Sequence, residues 1–382
     1  MPELLRFGAS VFDSTDRGID EKPLDSAYLE ILSAFVADTA DSCSFHGKRL
    51  AEAGFHGGPL RSYAEFGELP LLAPGEVSSV PDGALLPDRL AAAAVNGLFG
   101  LASEERIARK FLTTSSTGRP KGSYYTHEDW AAATQFGDRL MREAEPADYA
   151  RMFNGFHNGH VAGKLMEDIF TTAGCVVENN HHLNATPEQI LGQLADGLSA
   201  FGGFNAMALP PWRPKHLAGN KGATLDTLLD EDIDNVIGAQ IRVIVGGGAP
   251  FPSDGSLQER TWSANDLAGW PPSQFIHTYG SAEVGIAAVG CSAGPALHVL
   301  QGFIYTEVLD EQTGEHVPDG GRGLVVLTGL KHGSRYLRYL VGDEATYLEG
   351  ACACGRTSPR LLDIQRVLEL ERLNTGCAAG GV

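Results

Sequence analysis

The sequence predicts an α/β fold with a smaller β-rich portion near the C-terminus. Helical and strand-like patterns alternate along most of the chain, and after residue 302 short strand-like runs separated by Gly, Asp and Pro turns take over. A length of 382 residues, 43% hydrophobic and 20% charged, can bury a large core in one big domain or several smaller ones.

The elements follow in order. Tyr28, Ile31, Leu32 and Phe35 fall on one face of a helical stretch spanning residues 26–56. Residues 57–90 are rich in Gly and Pro and predict loops and short helices. Phe111 to Gly122 predicts a polar loop, and a helix follows over Glu128 to Glu143. Thr186-Pro187-Glu188 opens another helical pattern, 186–201. Ile241 to Val245 is a β-branched run ending in Gly246-Gly247-Gly248, a buried strand entering a tight turn. Phe275 to Tyr279 is a similar strand ending at Gly280. Phe303 to Leu309, Gly323 to Thr328 and Arg335 to Tyr339 form the β-rich part.

Composition excludes several classes. A net charge of -19 opposes binding to nucleic acid or to an anionic membrane. A local loop can still hold a nucleotide's phosphates inside an acidic protein. No apolar run approaches the length that crosses a bilayer, and no basic region followed by an apolar stretch opens the chain. The expectation is a cytoplasmic enzyme without a signal peptide. Six cysteines in a chain this long do not suggest a disulfide framework.

The segment Thr113-Thr114-Ser115-Ser116-Thr117-Gly118-Arg119-Pro120-Lys121-Gly122 carries the most chemistry. Its run of hydroxyls can donate to phosphate oxygens, its glycines let the backbone approach a ligand, and Lys121 adds a mobile positive charge. The Walker spacing is absent. Taken alone, the run also reads as a solvated Ser/Thr-rich turn. Further along, Gly247-Gly248-Ala249-Pro250 follows a strand, Tyr279-Gly280-Ser281-Ala282-Glu283 follows another, and Arg338-Tyr339-Leu340-Val341-Gly342-Asp343 lies in the β-rich part. Each alone is an ordinary turn.

In this order the four segments resemble the signature motifs of the adenylate-forming superfamily, nearest in pattern to phenylacetate–CoA ligases. Ser115 stands where the family usually has Gly, and Ala282 stands where it has a hydroxyl residue. The resemblance implies a large domain of mixed β-sheets flanked by helices. It implies that Thr114, Ser115, Ser116, Gly118 and Lys121 hold the triphosphate, with Thr117 and Lys121 serving catalysis. Gly247, Gly248, Ala249 and Pro250 would lie against adenine. Tyr279, Gly280, Ser281 and Arg338 would contact the nucleotide, Asp343 would hold the ribose, and Glu283 would contact magnesium. A carboxylate beside a triphosphate is sensible only with a cation between them. Phe156, His157 and His160 fall where the family places acid-pocket residues; a strand end and loop with scattered core aromatics is the competing reading.

Cys352 and Cys354, with Cys291 and His298 upstream, supply three thiolates and one imidazole, a closed tetrahedral zinc set of structural type; a plain surface His with cysteines as buried apolar residues is the competing reading. The string Cys352-Ala353-Cys354-Gly355-Arg356-Thr357 also resembles phenylacetate–CoA ligases, some of which carry such a zinc. Cys43 and Cys175 read as core cysteines.

The resemblance divides the chain into a helical entry region over 1–100, a nucleotide- and acid-binding core over 101–300, a β-rich subdomain over 301–366 and a flexible tail over 367–382. Ile364-Gln365-Arg366 resembles the entrance to the family's mobile C-terminal domain, which is expected to be absent here. The implied reaction is ATP- and magnesium-dependent activation of an aryl or arylacetic acid to an acyl-adenylate, then transfer to the thiol of CoA or of an acyl carrier protein. A homodimer or a partner subunit is compatible with this. Two alternatives stand beside it: an idle nucleotide- or acyl-binding partner subunit, or an enzyme that passes the acyl group to an amine or to its own Cys377, as a weaker resemblance to the acyl-protein synthetases of bacterial luminescence implies; taken alone, Cys377 reads as an incidental tail cysteine.

Overall fold

The computed structural model describes residues 26–96, 106–112, 121–144, 150–156, 159–180, 185–201, 203–212, 222–238, 241–249, 251–252, 254–267, 269, 272–300 and 302–368. In chain order the helices are α1 (Ser26–Ser42), α2 (Ser44–Glu52), α3 (Tyr63–Gly67), α4 (Pro74–Ser79), α5 (Asp88–Asn96), α6 (His127–Ala144), α7 (Val161–Thr172), α8 (Pro187–Phe201), α9 (Leu225–Gly238) and α10 (Ser256–Leu267). The strands are β1 (Ile107–Leu112), β2 (Gly122–Thr126), β3 (Arg151–Asn154), β4 (Val176–Asn179), β5 (Ala206–Ala208), β6 (Val243–Gly246), β7 (Gln274–Ser281), β8 (Gly285–Cys291), β9 (Gly294–Val299), β10 (Ile304–Leu309), β11 (Arg322–Gly329), β12 (Tyr336–Leu348) and β13 (Arg360–Arg366). No described helix is long and apolar enough to cross a membrane.

Two compact units form: Met1–Gln135 with Ser281–Ala287 and His298–Val382, and Phe136–Gly280 with Ala288–Leu297. This division departs from the expected boundaries at residues 100 and 300. The reason is long-range packing. Tyr28, Leu32, Phe35 and Phe66 from the N-terminal helices share one apolar cluster with Tyr305, Leu330 and Leu337 of the β-rich part. The entry region and the β-rich part therefore belong to one body.

In that first unit, β10, β11, β12 and β13 pair antiparallel in this order. The predicted helical stretch 26–56 divides at Cys43, whose extended backbone (φ -117, ψ 104) separates α1 from α2. Tyr28, Ile31, Leu32 and Phe35 are buried on one face of α1, as their spacing predicts. β1 and β2 form an antiparallel pair whose register ends at Leu112 opposite Gly122. Leu72 adds a bridge to Tyr339 of β12, with Leu72 N–H donating to Arg338 O at 2.8 Å and Leu340 N–H donating to Leu72 O at 3.0 Å.

The second unit is built on five parallel strands in the order β4, β3, β5, β6, β7. Every residue of β6 is buried, which suits a strand covered on both faces and explains its unbroken apolar sequence. Ile190, Leu191 and Leu194 of α8 pack with Leu225, Leu228 and Leu229 of α9 and with Phe153, Met207 and Ile244 of the sheet. α7 buries Val161, Leu165, Met166, Ile169 and Phe170, positions at helical spacing. In such sheets ligands gather beyond the carboxyl ends of the strands. Gly247 follows β6, and Phe156 follows β3.

Candidate functional site

In the first unit, Lys121 stands directly before β2 and is 9% exposed. Its Nζ donates to the Pro74 carbonyl at 3.0 Å. It lines a small cavity of about 70 Å³ together with Val77, Asp82, Ser334 and Tyr336. Burial pushes the Lys121 ammonium pKa down; Glu283 opposes that shift and Arg366 adds to it. Lys121 therefore senses both groups.

Glu283 is half-buried in the turn between β7 and β8. Its Oε1 accepts a hydrogen bond from Tyr339 O–H at 3.3 Å. The turn's main chain is held as well: Tyr125 O–H donates to Ala282 O at 3.2 Å, and Ser123 O–H donates to Glu283 O at 3.1 Å. Ser281 Oγ is buried and has no hydrogen-bond partner among the described residues. An unmatched buried hydroxyl next to a carboxylate turn suits a ligand oxygen.

Asp343 of β12 faces Arg366 of β13 in register, and Arg366 Nη1 donates to Asp343 Oδ1 at 3.1 Å and to Val341 O at 2.8 Å. Arg366 is thus tied into the sheet beside the expected ribose carboxylate. Lys121, Glu283 and Asp343 lie in one unit, where Tyr339 of the Asp343 strand donates to the Glu283 carboxylate and Ser123, two residues after Lys121, donates to the Glu283 carbonyl. Tyr339 and Arg366 were missed as site residues; both lie inside quoted motifs, but their partners are far away in sequence.

Arg338, expected at the nucleotide, makes its contacts inside the first unit. It is 2% exposed, and its Nε and Nη2 donate to Glu307 at 3.1 and 2.9 Å. Its Nη1 donates to the carbonyls of Gly67 and Leu69. These donors are engaged by the protein's own acceptors, so Arg338 acts as a strut joining the 67–69 segment to β10. Its backbone has φ 48, an uncommon conformation for a residue with a side chain.

The hydroxyl loop with Thr114, Ser115, Ser116, Thr117 and Gly118 lies outside the described residues, as do Pro250, His157 and Cys377. The β1–β2 register holds the two ends of that loop side by side.

In the second unit, a Cβ on Gly247 would lie 2.9 Å from Thr278 Oγ1 and 3.5 Å from Phe156 Cζ. Gly248 has φ +76, where a side chain is strained. Backbone here can therefore approach a flat ligand closely. Ala249 and Phe156 are buried, Tyr279 is half-buried in β7, and Gly280 is exposed. His277 is half-buried in β7, and burial pushes its pKa down to about 4 against a hydrogen bond to the Ala249 backbone. His160 caps α7, its Nδ1 accepting from Ala162 N–H at 3.2 Å.

His298, Cys352 and Cys354 come together within the first unit. Their ligand atoms lie within 4.8 Å of one another, and Cys354 Sγ is 3.3 Å from His298 Nε2. A tetrahedral zinc separates a thiolate and an imidazole nitrogen by about 3.6 Å. His298 is fully buried, and its Nδ1 pairs with Ser358 Oγ at 2.9 Å, which orients Nε2 as metal sites require. The 352–356 turn is closed by Cys352 N–H to Arg356 O at 2.8 Å. Cys291 ends β8, is buried and is not in a disulfide. This donor chemistry fits zinc. Cys43 and Cys175 are buried free thiols.

No family model matches the chain. It is 34% identical over 272 residues to the phenylacetate-coenzyme A ligase of Thermus thermophilus, across 69% of this chain and 55% of that protein. The chain thus spans about half the length of this curated relative. Among solved structures, 2-hydroxyisobutyryl-CoA ligase in an open conformation with 2-HIB-AMP and CoA matches with a TM-score of 0.73 at 18% identity, over 92% of this chain and 77% of that one. The same ligase in the postadenylation state with 2-HIB-AMP matches with a TM-score of 0.71 at 19% identity, over 92% and 70%. These likenesses show the fold. The curated relative and the ordered motifs make the chain similar to adenylate-forming CoA ligases.

Proposed function

We propose that this chain activates a carboxylic acid, of aryl or arylacetic type, with ATP and passes the acyl group to the thiol of coenzyme A. The geometry that supports this reading lies in the first unit: Ser123, two residues after Lys121, donates to the Glu283 carbonyl at 3.1 Å, Tyr339 of the Asp343 strand donates to the Glu283 carboxylate at 3.3 Å, and Arg366 pairs with Asp343 at 3.1 Å. A lysine ammonium, a carboxylate able to hold a cation and a ribose-binding carboxylate are the parts a nucleotide triphosphate needs in one place. The curated relative named for phenylacetate suggests the acid, and the ligases solved with an acyl-AMP and CoA suggest the intermediate and the acceptor.

A carboxylate oxygen of the acid attacks the α-phosphorus of ATP. The bond from that phosphorus to the bridging oxygen breaks, and pyrophosphate leaves. Lys121 leaves the Pro74 carbonyl and binds phosphate oxygens. The loop hydroxyls of Thr114 and Thr117 donate alongside it. Glu283 would hold magnesium, which supplies charge neutralisation to the leaving pyrophosphate. Asp343 accepts from the ribose hydroxyls. Phe156, His157 and His160 border the acid. The thiolate of CoA then attacks the acyl carbon, and AMP departs with the electron pair of the broken acyl–phosphate bond. His298, Cys352 and Cys354 would hold a structural zinc.

Acid-dependent exchange of pyrophosphate into ATP, screened over aryl, fatty and amino acids, tests the reading. Exchange is expected with an aryl or arylacetic acid. Lys121→Ala and Glu283→Ala are expected to lower it by about 10²–10³-fold. Exchange absent across the panel, or indifferent to both substitutions, refutes it. Product analysis with CoA and with amines identifies the acceptor. For zinc, elemental analysis should find one equivalent in the wild-type protein and a loss of it in Cys354→Ser.

A further inference from the structure

Lys331 follows β11 and is fully buried. Its Nζ donates to the Glu283 carbonyl and to Ser123 Oγ at 3.2 Å, and lies 3.8 Å from the centre of the Tyr125 ring. Ser123 O–H donates to the same Glu283 carbonyl, and Tyr125 O–H donates to Ala282 O. Two consecutive carbonyls of the Glu283 turn are thus clamped by β2 and by Lys331. β2 begins at the residue after Lys121.

The segment that carries Lys331 is itself fixed. His332 N–H and Gly333 N–H donate to the two oxygens of Asp129 at 2.7 and 2.8 Å, and Ser334 accepts from Tyr124 N–H at 3.0 Å. Burying an ammonium is destabilising by several kcal/mol unless its donors are matched. The matched acceptors here lie on the Glu283 turn, on Ser123 and on an aromatic face. Burial pushes the Lys331 pKa down to about 7, while Asp129 and Glu283 oppose the shift.

We propose that Lys331 is a positioning residue: its ammonium, with Ser123, holds the Glu283 main chain against β2 and so sets the cation-binding carboxylate at a fixed offset from Lys121. The inference rests on the reading of Glu283 as the magnesium contact. Residues that orient a metal ligand are typically worth 10–100-fold in metal affinity or activity. A lysine that merely fills the core would change stability without changing metal dependence.

Binding of manganese–ATP, followed by electron paramagnetic resonance and calorimetry, tests this without requiring turnover. The wild type is expected to bind the complex. Lys331→Met should weaken manganese–ATP binding about 10–100-fold while the affinity for metal-free ATP changes much less. Ser123→Ala should shift it in the same direction by less. Lys331→Gln, whose amide still donates to the Glu283 carbonyl, should recover part of the loss. Near-ultraviolet circular dichroism identifies the variants that fold. If Lys331→Met does not fold, Lys331→Gln and Ser123→Ala decide. Folded variants with unchanged manganese–ATP affinity overturn the role of Lys331 and leave the assignment of Glu283 standing. A wild type that does not bind manganese–ATP overturns both.

Discussion

The first unit holds its candidate residues with buried charge, and the second holds its own with glycine and apolar strands. In the first, Arg338 pairs with Glu307, Arg335 with Asp38 at 2.7 Å, and Lys331 with the Glu283 carbonyl. In the second, the wholly buried β6 delivers Gly247 and Gly248 to the edge of a parallel sheet, where Thr278 crowds the backbone. A charged strut fixes a side chain through a partner elsewhere in the chain; Arg335 and Asp38 are 297 residues apart. A strand end fixes its backbone through the next strand; Thr278 Oγ1, 32 residues away, donates to Gly246 O at 3.0 Å. The first arrangement is strong but fails when one member is removed, because the other is left buried and unpaired. The second tolerates side-chain changes until a Cβ appears where none fits.

The largest effect should come from breaking a strut. Arg338→Met leaves Glu307 buried without its partner and is expected to destabilise the protein by about 3–5 kcal/mol, measured by urea unfolding. Adding Glu307→Leu should recover much of that loss. A double variant no more stable than the single one would show that Arg338 matters for its shape, not for its charge.

A second effect separates the units by acid. His46 is buried, its Nε2 bonded to Arg335 O at 2.7 Å, and burial pushes its pKa from 6.5 down to about 3. His277 in the second unit is pushed from 6.5 down to about 4. Between these folded values and 6.5 the unfolded chain binds more protons than the folded one, so stability falls as pH drops below about 6.5. The loss attributable to His46 continues to lower pH than that of His277. His46→Gln should therefore flatten the acid limb of a plot of melting temperature against pH more than His277→Gln. Equal flattening by the two would mean that the charge-held unit has no special acid sensitivity.

The smallest effect tests the glycine turn. Gly248→Ala places a side chain at φ +76 and should cost about 1–2 kcal/mol. Gly247→Ala should change stability less but weaken nucleotide binding, because its Cβ would stand 2.9 Å from Thr278 Oγ1. If both variants bind nucleotide as the wild type does, this turn does not face the adenine.

Much of the fold was readable from local pattern. The face of α1, the strands β6 and β7 and the antiparallel strands near the C-terminus all stand where periodicity puts them. Two of these strands begin a residue or two later than their pattern, and β12 runs on to Leu348. Ile241 and Arg242 precede β6, and Arg335 precedes β12, because pairing partners and not composition decide where a strand begins. The compact units follow from longer-range packing: the helices near the N-terminus bury their apolar face against strands nearly 300 residues later.

The sequence alone determined the chemical inventory. It supplied the hydroxyl loop, Lys121, Glu283 and Asp343 in a recognisable order, and the close cysteine pair with its turn. Residue types and short spacings are local properties, and local properties survive in a one-dimensional reading. Only the tertiary structure decided which of these groups face one another and what holds them there. Arg338 turned inward to Glu307, Arg366 joined Asp343, and Lys331 came to rest under the Glu283 turn. Each of those outcomes depends on matching a buried charge to an acceptor distant in sequence, and the strength of that match is set by burial, which no single segment contains.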